Sequence, residues 1–84
     1  MTASDRKAMK AAMRFPLLLD RGGGVYWDFD FEKEMFRVGT ACNTGLIVDF
    51  TVKYDEGNRL LDQLYHLVEK GEEFYNDKEE SAGA

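Results

Sequence analysis

Apolar and polar side chains alternate with a period of two through most of residues 25–54. Val25, Trp27, Phe29 and Phe31 alternate with Tyr26, Asp28 and Asp30. Phe36, Val38 and Thr40 alternate with Met35, Arg37 and Gly39, and Leu46, Val48, Phe50, Val52 and Tyr54 with Ile47, Asp49, Thr51 and Lys53. Successive strand side chains point to opposite faces, so the pattern predicts three strands that share one apolar face and one wet face. One-sided alternation belongs to antiparallel sheets, and the connections are short enough for hairpins. A turn at Glu32-Lys33 sets Phe29 opposite Phe36 and Asp28 opposite Arg37. A five-residue loop from Ala41 to Gly45 sets Val38 opposite Val48 and Arg37 opposite Asp49. A loop one residue shorter would set Val38 against Asp49 and mix the faces.

Outside this stretch the period lengthens to that of a helix. Residues 4–14 carry Ala8, Met9, Ala12 and Met13 as a narrow stripe. Ser4 is the expected N-cap, with Asp5 at the positive end of the dipole and Arg14 at the negative end. Pro16 stops this helix because it drives Phe15 out of the α region. Leu17 to Leu19 are expected to run extended and buried, followed by a mobile loop, Asp20-Arg21-Gly22-Gly23-Gly24. Residues 55–71 form a second helix. Asp55 caps it, Leu60, Leu61, Leu64, Leu67 and Val68 share one face, and Lys70-Gly71 end it. That face is the expected cover for the apolar side of the sheet. Residues 72–84 read as a short acidic helical turn and a frayed polar tail. The expected architecture is one α+β domain: an N-terminal helix, a three-stranded antiparallel meander, a covering helix and a short acidic C-terminal helix.

With 84 residues, 44% of them hydrophobic and 13% aromatic, the chain has material for one modest core. Cys42 is the only cysteine, so no intramolecular disulfide forms, and a reducing compartment is favoured. No apolar run approaches the ~20 residues of a membrane span, and residues 1–15 lack a signal-peptide core, so the expected location is the cytoplasm. The net charge of −5 is unevenly spread. Residues 1–14 hold Arg6, Lys7, Lys10 and Arg14 against Asp5. Residues 55–84 hold nine acids against Arg59, Lys70 and Lys78. Such an acidic C-terminal part repels nucleic acid and attracts basic surfaces, so no direct nucleic-acid binding is expected.

The residues for most catalytic chemistries are scarce. Cys42 falls in a hairpin turn and His66, the one imidazole, lies off the leucine face beside Asp62, so no nucleophile–base pair is expected. Zinc ligands are too few, and no EF-hand spacing is present. The three glycines precede a strand and lack a following Lys-Ser/Thr, unlike a phosphate loop. Neither an enzyme nor a metal or cofactor site is expected. On the wet sheet face, Asp28, Asp30, Arg37 and Asp49 would lie together. An acidic site for a cation is one reading of that group. A cross-strand ion cluster is favoured, because Arg37 already supplies the counter-charge.

The remaining signal is Glu69, Glu72, Glu73, Asp77, Glu79 and Glu80 within twelve residues. The run Glu72-Glu73-Phe74-Tyr75-Asn76-Asp77 and the order of elements resemble those of phage-encoded anti-CRISPR inhibitors of Cas9. The loop Asp20–Gly24 and the basic first helix have no counterpart there. The resemblance implies an acidic surface that imitates DNA and occupies the basic site where Cas9 reads its PAM duplex, with Glu72, Glu73 and Asp77 as phosphate mimics. The expected function is therefore a non-enzymatic inhibitor of a basic nucleic-acid-handling protein. The alternative is a small adaptor or regulatory subunit that binds through the Met9/Met13 stripe or an open strand edge.

Overall fold

The computed structural model describes the backbone of residues 1–83 and the side chains of residues 1–79. The chain is α+β, with α1 (Ala3–Ala12), β1 (Leu17–Leu19), β2 (Val25–Asp30), β3 (Met35–Cys42), β4 (Gly45–Lys53) and α2 (Leu60–Gly83). The sheet has four strands in the order β1-β2-β3-β4, every neighbouring pair antiparallel. The fourth strand is Leu17–Leu19, expected only as an extended segment. Its pairing with β2 is short and irregular, and the Trp27 N–H also donates to the Pro16 carbonyl at 2.9 Å. Leu17 is exposed and Leu18 and Leu19 are half-buried, so the segment is an edge strand and not a buried one.

The β2–β3 hairpin has the expected register, with Phe29 opposite Phe36 and Asp28 opposite Arg37. Asp30 makes its turn: one carboxylate oxygen accepts from the Glu32 and Lys33 N–H groups, each at 3.0 Å. Such a side-chain-to-backbone bridge substitutes for the missing ladder bonds of a turn. The β3–β4 hairpin differs from the expected register. Cys42 pairs with Gly45 across a two-residue turn, Asn43-Thr44. That tight turn alone would put Val38 against Asp49. A bulge between Val38 and Gly39 resolves the conflict, restoring Val38 opposite Phe50 and Phe36 opposite Val52. Arg37 therefore faces Thr51, not Asp49, and Val48 is turned to lie opposite Gly39. Gly39 makes the bulge possible. A Cβ there would stand 1.8 Å from the Ile47 carbonyl oxygen.

Both helices cover the apolar face. Met9 from α1 and Leu67 from α2 are buried with Val25, Trp27, Phe29, Phe36, Val38 and Tyr54. Phe29 lies at the centre, edge-on to Phe31, Phe36 and Tyr54 with ring centroids 5.0–5.9 Å apart. Burying side chains of this size contributes roughly 1.5–3 kcal/mol each. Helix α1 starts two residues earlier than expected. Thr2, not Ser4, is the N-cap, and Thr2 and Asp5 form a reciprocal capping box.

Helix α2 is one element of 24 residues where two were expected. Asp55 does not cap it. Asp55 instead closes a turn, accepting from the Gly57 N–H at 2.9 Å and the Asn58 amide at 2.7 Å. Gln63 ties that turn to the helix, accepting from the Asp55 N–H and donating to the Asp55 and Asn58 carbonyls at 2.9–3.1 Å. Gly71 does not end the helix. It is buried where β1 crosses, and a Cβ there would meet Leu19 at 3.2 Å. Phe74 and Tyr75, one turn later, pack back onto the sheet and carry the helix through residues expected to be a separate turn and a frayed tail. Phe74 packs on Phe50 with the rings tilted and their centroids 5.1 Å apart.

Candidate functional site

The acids of the sheet do not form one site. Arg37 donates from Nε and Nη2 to the two Asp28 oxygens at 2.7 and 2.6 Å, a bidentate pair. This pairing raises the Arg37 pKa. Asp30 is engaged by its own turn. Asp49, the extra residue of the bulge, leaves this group and faces α2. It accepts a short hydrogen bond from the Tyr75 hydroxyl, and Lys78 Nζ lies 3.7 Å away. Burial first, and then the bond to Asp49, push the Tyr75 hydroxyl well above the ordinary tyrosine range. Each sheet carboxylate thus has a structural partner. Among the described residues no group of three or more His, Cys, Asp or Glu side chains is arranged to hold a metal ion. Cys42 is exposed beside the hairpin turn, where its bond with Thr44 lowers the thiol pKa, and His66 is exposed on α2.

The acids of α2 are arranged differently. In a continuous helix, positions 69, 72, 73, 76 and 77 fall at spacings of three and four and so share one face. That face lies opposite the one formed by Leu60, Leu64, Leu67 and Gly71. Glu69, Glu72, Glu73 and Asp77 are all exposed. Among the described residues, none of the four is within ion-pair distance of a cation. From residue 69 to residue 77 the helix rises roughly 12 Å. In the Glu72–Asp77 run, Phe74 and Tyr75 anchor inward while Glu72, Glu73, Asn76 and Asp77 point to solvent. Glu79 belongs elsewhere: Arg21 pairs with it closely and donates to Asn76 Oδ1 at 3.2 Å. These contacts clip the Gly22–Gly24 loop to α2, a role that the glycine run had concealed. The side chain of Glu80 lies outside the described residues.

No protein-family model, curated protein or solved structure matches this chain.

Two further surfaces stand out, the first already marked by charge in the sequence and the second not. The first is the outer face of α1, where Arg6, Lys7, Lys10 and Arg14 are exposed. None of them forms an ion pair among the described residues, and Lys10 sits 5.8 Å over the Phe31 ring. The second is an open apolar groove between the end of α1, β1 and the first half of α2. Phe15 (80% exposed), Leu17 (52%), Leu61 (59%) and Tyr65 (63%) stand along it. Leu61 was expected on the buried leucine face but turns into this groove. Met9, half of the expected binding stripe, is fully buried.

Proposed function

We propose that the chain is a non-enzymatic inhibitor that binds a basic, nucleic-acid-handling protein through the outer face of α2. The observation that carries this reading is the row of carboxylates Glu69, Glu72, Glu73 and Asp77, unpaired among the described residues and held on one helix opposite its packed face. A row of fixed anions meets the Lys and Arg side chains that would otherwise hold phosphates. The likeness of Glu72–Asp77 to a run in anti-CRISPR inhibitors of Cas9 points to a CRISPR effector as the target class. Interaction through fixed charges at a surface weakens steeply with salt. The test is capture of a Cas9-type effector by the tagged chain at low and high salt, with competition by a duplex carrying the PAM. The expected result is binding at low salt only, displaced by the duplex and lost when Glu72, Glu73 and Asp77 are neutralised together. Salt-resistant binding that ignores the neutralised residues would overturn the reading.

A second reading, a small adaptor or regulatory subunit, draws on the apolar groove. With Met9 buried, it would rest on Phe15, Leu17, Leu61 and Tyr65 in place of the Met9/Met13 stripe.

A further inference from the structure

Between α1 and α2 the protein carries an apolar groove flanked by two helices whose outer faces have opposite charge. Its walls include Ala12 and Phe15 on one side and Leu61, Leu64, Tyr65 and Val68 on the other, with Leu17 and Leu18 between them. Beyond the groove, the outer face of α1 carries Lys7 and Arg14, and the outer face of α2 carries Glu69 and Glu72, all exposed. Each of these four charges lacks an ion-pair partner among the described residues. Phe15, Leu17, Leu61 and Tyr65 are more than half exposed, so they contribute little to the core and keep apolar surface in water.

We propose that this groove is the contact between two copies of the chain, related by a two-fold axis running along the groove. The charge pattern selects this occupant. A partner that fits must be apolar in the middle, acidic over α1 and basic over α2. A second copy presents that surface when turned about an axis along the groove, because the rotation lays each α1 over the other copy's α2. A two-fold axis across the groove would set like charges together and is excluded. The contact is isologous: Lys7 and Arg14 of each copy meet Glu69 and Glu72 of the other, and Phe15, Leu61 and Tyr65 bury one another between them. The proposal does not rest on the inhibitory reading but shares Glu69 and Glu72 with it, so the dimer would have to dissociate before the whole α2 row met another protein.

Sedimentation equilibrium on the full chain tests it, at low and high salt, up to about 1 mM, where even weak contacts associate. The expected result is a species of twice the 9.6 kDa chain mass that dissociates more readily at high salt. Leu61→Asp with Tyr65→Asp should give a monomer whose thermal melt matches the parent, since both positions are exposed in the single chain. Arg14→Glu and Glu72→Arg should each weaken self-association about tenfold, and mixing the two variants should restore a mixed dimer. A monomer at every concentration overturns the proposal and leaves the groove to another partner. A dimer that survives Leu61→Asp with Tyr65→Asp overturns the placement of the contact.

Discussion

Two sets of carboxylates divide this molecule. Those of the sheet are consumed by the fold: Asp28 holds Arg37, Asp30 makes a turn, and Asp49 fastens the end of α2 through Tyr75 and Lys78. Those on the outer face of α2 have no such role among the described residues. Glu69, Glu72, Glu73 and Asp77 cost the helix mutual repulsion and gain no intramolecular partner among the described residues. A cluster of acids in sequence is therefore informative only once the pairing of each member is known. Here the sheet acids, expected as a cross-strand ion cluster, are scaffold, and the acids expected on a short helical turn and a frayed tail include an ordered row on one helix.

The largest effect should come from the bulge that separates the two sets. Gly39→Val would drive a side chain into the Ile47 carbonyl and force β4 away from β3. Thermal unfolding should show a loss of about 3 kcal/mol or more, or no cooperative transition at all. Parent-like melting would mean that β4 does not approach Gly39 as described.

Asp49→Asn should cost roughly 1 kcal/mol, because it weakens the tie between β4 and α2. The same change should bring Tyr75 back toward the ordinary tyrosine range, read by ultraviolet titration. The sign follows from the raised folded-state pKa of Tyr75. Its stabilising contribution is complete below the unfolded value of about 10 and is lost as pH rises through the folded value. A tyrosine titration unchanged by Asp49→Asn would remove Asp49 from that role.

Asp28→Asn should cost less, about 0.5–1 kcal/mol in urea unfolding, since the Asp28–Arg37 pair is partly exposed to solvent. Glu72→Gln, Glu73→Gln and Asp77→Asn combined should change stability by less than about 0.5 kcal/mol, and toward greater stability as repulsion is relieved. A loss as large as that of Asp49→Asn would place the α2 acids in the scaffold with those of the sheet.

Much of the architecture was legible where the alternation is strict. Trp27, Phe29, Phe36 and Val38 mark the buried face, and the β2–β3 register followed from Phe29 and Phe36. The β3–β4 register did not, because parity cannot separate a long loop from a tight turn followed by a bulge. Gly39 was the available signal, since a glycine inside a strand pattern often marks a bulge or close backbone approach. Leu17–Leu19 is too short to show a period. Gly71 read as a helix end because glycine usually serves there, but here it makes room for β1. Splitting α2 at Gly71 hid the alignment of Glu69 with Glu72, Glu73 and Asp77. The groove also escaped the pattern, because Leu61 obeys the helical spacing of the core face, and only the position of α1 shows which side of that face remains open.

The most direct test is displacement of a PAM-containing duplex from a Cas9-type effector by the parent chain and by the variant with Glu72→Gln, Glu73→Gln and Asp77→Asn. The parent should displace the duplex, less well as salt is raised, while the equally stable variant should be at least about tenfold weaker. Equal displacement by the two proteins, or none by the parent, would contradict a binding role for the outer face of α2.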